Sequence, residues 1–90
     1  MKVYVVQILN DIHNCYEGLN DTEIYVYDDI KKAIKKFNES FEEKAKYFEN
    51  VYEMDLNDEE IEYSVTADIQ FFIHNNQDYF HGRIIEQEVL

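Results

Sequence analysis

The sequence has no proline, two glycines and a single cysteine among its 90 residues. Flexible or Pro-rich linkers are therefore not expected. Cys15 has no second cysteine to pair with, which excludes an internal disulfide and favours a reducing, cytoplasmic setting. No apolar run approaches the length of a transmembrane helix, and the N-terminal stretch lacks a signal-peptide cleavage site. With 46% apolar and 16% aromatic residues, the chain predicts one folded domain spanning residues 1–90.

Basic side chains are missing from a long stretch of the chain. No Lys or Arg occurs between Lys46 and Arg83, and the formal net charge is −12. Residues 1–46 carry a net charge of −2, whereas residues 47–90 carry −10. Binding to nucleic acid or to an anionic membrane is disfavoured, because phosphate contacts need Lys and Arg. A basic protein surface would be attracted instead.

The common signatures of catalysis and nucleotide binding are also missing. The sequence contains no G-x-x-x-x-G-K-[ST], G-x-G-x-x-G, C-x-x-C or H-E-x-x-H pattern. His13 lies two residues from Cys15, but nothing marks the orienting group or oxyanion site that a Cys–His nucleophile needs. His74 and His81 are ligands of the right type for a metal, but a third and a fourth ligand are not evident. We therefore expect no enzyme activity, no cofactor and no metal site.

Two strands are predicted in the first third of the chain. The segment "KVYVVQIL" (residues 2–9) is rich in β-branched residues. It is apolar at both odd and even positions, which indicates an interior strand. The segment "TEIYVYD" (residues 22–28) alternates and predicts a second strand, paired with the first as a hairpin. The polar residues 10–21 between them predict a loop.

Residues 28–50 have the periodicity of a long amphipathic helix. Their apolar positions recur at steps of three and four and form one stripe: Ile30, Ala33, Ile34, Phe37, Phe41, Ala45 and Phe48. Asp28 is the predicted N-cap, because its carboxylate can accept bonds from the first-turn amides. The opposite face is charged and is expected to be solvated.

The last third of the chain predicts two more strands. Residues 61–74 alternate between apolar and polar over fourteen positions, which predicts one strand of roughly 46 Å. A turn at 75–78 and a fourth strand from Tyr79 follow. The predicted fold is α+β and two-layered. One long helix packs on a four-stranded, mainly antiparallel sheet in the order β-β-α-β-β along the chain.

The register of the last hairpin can be argued from its side chains. A symmetric turn at 75–78 places three apolar pairs on one face: Ile73 opposite Phe80, Phe71 opposite Gly82 and Ile69 opposite Ile84. Continued further, this register puts Glu86 and Glu88 on the same apolar face, where burial of charge is unfavourable. A β-bulge near Gly82–Ile85 would move both glutamates to the open face of the sheet, the face that the helix does not cover.

Acidic side chains are then expected to line the open face. Alternate strand residues lie about 6.6 Å apart, a spacing that a phosphate-binding protein could accept as a polyanion. The predicted acidic contacts to a basic partner are Glu59, Glu60, Glu62, Asp68, Glu86 and Glu88. The alternative is a surface that serves solubility alone.

Aromatic side chains near the tip of the last hairpin form the second candidate surface. In the predicted register Phe72, His74, Tyr79 and His81 share the open face, where they could anchor a partner. Alternatively, another element of the fold or a second copy covers them. If Tyr25 and Tyr27 also face outward, the sheet could form a homodimer.

Size, one-sided acidity and layout together favour a stoichiometric protein-binding inhibitor. In these features the chain resembles the small acidic proteins that phages and mobile elements use against host nucleases, including anti-CRISPR and anti-restriction proteins. The resemblance implies a DNA-mimicking surface that blocks a basic nucleic-acid-binding enzyme in the host cytoplasm, and it assigns no site residue. Three alternatives stay open: an immunity protein or antitoxin against a basic toxin, a non-catalytic structural or regulatory module that homodimerises through its sheet, and a metal-dependent or thiol enzyme, which would contain metal or a reactive Cys15.

Overall fold

The computed structural model describes residues 1–13, 19–66 and 70–89 of the chain. Its elements are β1 (Lys2–Ile12), β2 (Leu19–Tyr27), α1 (Ile30–Tyr52), β3 (Glu62–Thr66), β4 (Gln70–His74) and β5 (Tyr79–Glu88). The five described strands form one antiparallel sheet in the order β2-β1-β5-β4-β3. The helix packs on one face of this sheet. The predicted α+β class and two-layer arrangement are confirmed, with five strands in place of four.

The first two strands form the predicted hairpin, with β1 in the interior of the sheet between β2 and β5. Tyr25 lies opposite the buried Val6, and Tyr27 shares its parity. Both tyrosines therefore face the helix layer, so the conditional prediction of an outward-facing tyrosine pair is wrong. Ile24 and Val26 face outward instead.

The helix has the predicted apolar stripe, but its N-cap lies one residue after the predicted one. Asp29 is the N-cap, and its Oδ1 accepts a hydrogen bond from the Lys31 amide at 2.8 Å. Asp28 instead lies 3.8 Å from Lys32 Nζ. Periodicity alone cannot show which of the two adjacent aspartates is the N-cap, because either carboxylate can accept bonds from the first-turn amides. At the other end, Glu53 has φ 56°, a left-handed conformation that ends the helix.

The core lies between the apolar stripe of α1 and the covered face of the sheet. Phe37 meets Phe71 edge to face at 5.2 Å between ring centroids, and Phe48 meets Phe80 at 5.7 Å. Aromatic pairs prefer this geometry, because the positive ring edge meets the negative ring face. The buried apolar residues are Val6, Ile8, Ala33, Phe37, Phe48, Ile61, Phe71, Ile73 and Phe80.

The single long strand predicted over residues 61–74 is wrong. β3 ends at Thr66, and β4 begins at Gln70 and runs antiparallel to it. In this hairpin Val65 lies opposite Phe71, so odd-numbered residues stay on the helix side of both strands. A period of two therefore cannot distinguish two antiparallel strands from one straight strand.

The predicted register of the last hairpin is confirmed where the structure describes it. Ile73 lies opposite Phe80 and Phe71 opposite Gly82. The third predicted pair includes Ile69, which lies outside the described residues.

The predicted β-bulge is wrong. β5 pairs with β1 without interruption from Tyr79 to Glu88, so Glu86 and Glu88 keep the parity of the helix side. Both glutamates are nevertheless exposed, since they lie at the end of β5 where no core residue covers them. Glu86 lies 3.1 Å from Lys2 Nζ, and Glu88 lies 3.6 Å from the N-terminal ammonium group. Charge at this end of the strand needs no bulge, because it is not buried.

Candidate protein-binding surface

The face of the sheet opposite α1 is covered by no described element, and we call it the open face. Its strand positions form rows of residues that lie side by side across the sheet. One complete row is Asn20, Asp11, Tyr79, His74 and Glu62, and the next is Thr22, Leu9, His81, Phe72 and Ser64. A third row is Ile24, Gln7, Arg83, Gln70 and Thr66.

Four rings on the β4–β5 hairpin lie together on the open face, as the sequence predicts; we call them the aromatic cluster. Phe72 stacks on His74 with 5.5 Å between ring centroids, and His74 lies 5.5 Å from Tyr79. Tyr79 in turn stacks on His81 at 6.4 Å. Each of these side chains is partly exposed. The cluster is thus a continuous aromatic surface that is accessible to a partner.

The polypeptide from the end of α1 to the first residue of β3 supplies a dense group of carboxylates, the acidic segment: Glu53, Asp55, Asp58, Glu59, Glu60 and Glu62. Two aspartates fold it into consecutive turns. Asp55 Oδ1 accepts from the Asn57 amide at 2.8 Å, and Asp58 Oδ1 accepts from the Glu60 amide at 3.0 Å. Met54 and Leu56 pack against the core and hold the segment down. The backbone of the acidic segment is therefore held by these turns and by its two apolar contacts.

The acidic segment and the aromatic cluster meet at one pair of residues. Glu62 lies opposite His74 across β3 and β4, and its Oε2 is 3.4 Å from His74 Nε2. Among the described residues, His74 is the only basic side chain in contact with a carboxylate of the acidic segment. Most of its negative charge therefore has no partner within the described part of the chain.

The structure brings most, but not all, of the predicted contact residues together. Glu62 adjoins the aromatic cluster, and Glu59 and Glu60 precede it by three and two residues along the chain. Glu86 and Glu88 lie at the other end of β5, about 20–30 Å along the strand from Tyr79. Asp68 lies outside the described residues. The predicted ladder of carboxylates across the open face is therefore not formed, because Glu86 and Glu88 lie on the helix side.

The two histidines of the aromatic cluster point to different polar partners. His74 faces Glu62, whereas His81 Nε2 lies 3.3 Å from Gln70 Oε1. Burial lowers the pKa of His81 from its ordinary 6.5, and the charge of Arg83 acts in the same direction. Within the described ranges, no group of three or more His, Cys, Asp or Glu residues is placed to hold a metal ion.

The partly buried carboxylate of Glu23, which the sequence analysis missed, joins the edge strand β2 to the helix. Glu23 accepts hydrogen bonds from Asn10 Nδ2 at 2.8 Å, from the Tyr25 hydroxyl at 2.7 Å and from Lys44 Nζ at 3.1 Å. Partial burial acts to raise the pKa of Glu23, but these bonds and the Lys44 charge outweigh it and lower the pKa to about 2. The bond to Glu23 also raises the pKa of Tyr25 to about 12. This group fastens the helix to the edge of the sheet.

The Glu23 carboxylate should make stability depend on pH. Its pKa in the folded state is below the ordinary value of 4.5, so its contribution is complete above about pH 4.5 and is lost as the pH falls toward about 2. We expect Glu23→Gln to have a lower free energy of unfolding than the wild type at neutral pH, with a difference that shrinks over this acid range. Urea unfolding across the range measures it. Glu49→Gln, on the exposed side of α1, is the control, and a difference independent of pH would contradict the assignment.

Asp78 is a second polar group that the sequence analysis missed. It is 0% exposed. Its carboxylate accepts from the His13 amide at 2.7 Å, from the Tyr47 hydroxyl at 2.5 Å and from the Tyr52 hydroxyl at 2.8 Å. These bonds tie the end of β1 and the end of α1 to the turn before β5. The role of Asp78 is to hold the scaffold under the aromatic cluster.

Comparison with protein-family models, with curated proteins and with solved structures finds no match for this chain. Among the described residues, no helix is both long enough and apolar enough to cross a membrane. The function must therefore be argued from the surface itself.

Proposed function

We propose that this protein is a stoichiometric, non-catalytic inhibitor that binds a basic nucleic-acid-binding enzyme of a bacterial host cell. The observation that carries the proposal is the junction at Glu62 and His74, where the acidic segment adjoins the aromatic cluster. Exposed aromatic rings with a charged rim are the usual composition of a binding hot spot. The most strongly negative half of the sequence provides this rim.

In this proposal the two surfaces have different tasks. Glu59, Glu60 and Glu62 attract the partner over a distance and occupy positions that nucleic-acid phosphates would take. Phe72 and Tyr79 supply apolar contact area once the surfaces meet. Glu86 and Glu88 take no part, because they lie on the helix side at the far end of β5. The mimicry is therefore confined to one corner of the molecule.

Reversing the charge of this corner should abolish binding. We expect Glu59→Lys/Glu60→Lys/Glu62→Lys to weaken capture of the partner by about 100-fold or more, because attraction becomes repulsion at the contact. The wild type and the variant would each be immobilised, exposed to bacterial lysate at low salt and eluted with a salt gradient. A basic nucleic-acid enzyme should elute from the wild type at moderate salt, since such contacts are screened. A captured basic toxin would instead favour the immunity or antitoxin function.

The matched control carries the same change of charge on another surface. Glu39, Glu42 and Glu43 are exposed on α1, so Glu39→Lys/Glu42→Lys/Glu43→Lys changes the net charge equally. We expect this control to retain the partner. If both triple variants lose it to the same degree, net charge rather than the acidic segment attracts the partner.

A second candidate is a structural or regulatory module that homodimerises through its sheet. Ile24 and Val26 on the open face are 60% and 61% exposed, and this observation favours it. Light scattering tests this candidate directly, because a dimer has twice the mass of the single chain.

A further inference from the structure

The open face carries little charge for a chain whose net charge is −12. Its charged strand positions are Asp11, Glu62 and Arg83. Asp11 Oδ1 lies 2.7 Å from His13 Nε2, and Arg83 Nε donates to Gln7 Oε1 at 2.7 Å. The other carboxylates on the described strands, those of Asp21, Glu23, Glu86 and Glu88, lie on the helix side. Depletion of charge is the compositional mark of the centre of a protein–protein interface.

An aliphatic patch covers the β2 side of the open face. Val26, Val5 and Ile85 lie side by side across β2, β1 and β5. Ile24 follows Val26 at the next outward position of β2, which is the edge strand. Ile24 shares the row of Gln7, and Val26, Val5 and Ile85 lie one row farther from the aromatic cluster. An apolar surface of this kind marks an interaction site.

We infer that a second copy of this chain covers the open face, sheet against sheet, in a dimer with the layers helix, sheet, sheet and helix. The aliphatic patch offers no carboxylate to a basic partner, which argues for an apolar occupant. Two chains that each carry −12 repel one another through their acidic surfaces, and least through this face. The inference rests on the second candidate function, homodimerisation through the sheet, and names the surface at which the two copies meet.

The size of the face is sufficient for such a dimer. Its five strands contain between five and eleven residues each. With strands about 4.8 Å apart and a rise of about 3.3 Å per residue, the face measures on the order of 600 Å². Two copies would then bury about 1,200 Å² in total, at the lower end of stable protein–protein interfaces. This dimer covers the aromatic cluster, so it excludes simultaneous binding of the proposed basic partner.

Sedimentation and light scattering over a range of protein concentrations test the inference. We expect the wild type to form a dimer at high concentration and Ile24→Lys/Val26→Lys to remain monomeric under the same conditions. The added lysines lower the net negative charge, so charge alone would promote association. Val51→Lys/Val65→Lys is the matched control, because both valines are 45% exposed and lie off the open face. The control should still dimerise.

Salt provides an independent arm of the same experiment. Screening removes repulsion between two acidic chains, so added salt should strengthen the dimer, whereas it should weaken binding to a basic partner. Circular dichroism establishes that the variants fold. If Ile24→Lys/Val26→Lys does not fold, methyl NMR of the wild type replaces it, and the Ile24 and Ile85 signals should shift on dilution.

The outcomes separate the inference from the candidate function on which it rests. A wild type that stays monomeric at every concentration overturns both. A wild-type dimer that survives in Ile24→Lys/Val26→Lys, or whose Ile24 and Ile85 methyl signals do not change on dilution, overturns the open-face contact alone. A wild-type dimer that is lost in this variant and kept in the control supports both.

Discussion

Asp78→Ala should lower the free energy of unfolding by at least about 3 kcal/mol, because three buried or partly buried donors lose a charged acceptor at once. These donors are the His13 amide and the hydroxyls of Tyr47 and Tyr52. A buried donor without its partner costs about 1–3 kcal/mol. In a small domain this loss is a large fraction of the total stability. Chemical unfolding at neutral pH measures it.

Two variants show whether the buried bonds of Asp78 cause the effect. Asp78→Asn keeps the shape and one acceptor oxygen, so we expect a smaller loss than in Asp78→Ala. Asp55 also accepts a bond from a backbone amide, at 2.8 Å, but it is exposed. Asp55→Ala should therefore cost about 1 kcal/mol or less. If Asp78→Ala costs no more than Asp55→Ala, the carboxylate does not hold the scaffold together.

The aromatic cluster depends on the same scaffold, since Asp78 lies immediately before β5. The backbone amides of Asp78 and Gln77 both donate to Asn75 Oδ1 at 2.8 Å, which fixes the turn between β4 and β5. The bonds from Tyr47 and Tyr52 then hold this turn against the end of α1. Rigid support for a binding surface reduces the entropy that a partner must overcome. The buried carboxylate on one side of the sheet thus serves the exposed rings on the other.

The patterns that could be predicted from the sequence are those with a single dominant cause. The apolar stripe of α1 determines the helix, because one face must be buried. The β4–β5 register follows from matching apolar residues across a short turn, and it correctly placed Phe72, His74, Tyr79 and His81 on one face. In both cases burial of apolar side chains has no competing arrangement of similar quality.

The failed predictions concern places where two arrangements satisfy the same pattern. One straight strand and two antiparallel strands both keep the odd-numbered apolar residues, such as Val65 and Phe71, on the helix side, so alternation could not choose. The predicted bulge depends on the apolar face being buried as far as Glu86 and Glu88. Among the described strands, the end of β5 beyond Arg83 pairs only with β1, and Glu86 and Glu88 are exposed.

The buried polar groups were missed because they depend on contacts between distant residues. Asp78 looks like an ordinary turn residue, and its burial follows only when α1 and the β4–β5 hairpin come together. A signal was nevertheless present in the helix. Tyr47 and Tyr52 flank the apolar stripe near the end of α1, and buried tyrosine hydroxyls require a hydrogen-bond partner. That requirement predicts a polar group opposite them, although not which one.

Gly82→Ala should destabilise the protein by about 2–3 kcal/mol, whereas replacing glycine in a strand usually gains a little stability. The reason is space. A Cβ atom at Gly82 would lie less than 3.0 Å from ring carbons of Phe71. This ring cannot move away freely, because it is 0% exposed and lies against Phe37 and Phe41 at centroid distances of 5.2 and 5.3 Å.

A double-mutant cycle with Phe71→Leu tests this explanation of the Gly82→Ala effect. Leucine is smaller than phenylalanine and leaves room beside residue 82, so the second substitution should relieve the first. We expect the double variant to be more stable than the sum of the two single effects predicts, by about 1 kcal/mol or more. Thermal or urea unfolding of all four proteins measures the coupling. Strictly additive costs would mean that Phe71 does not cause the strain, and that glycine is required at this position for another reason.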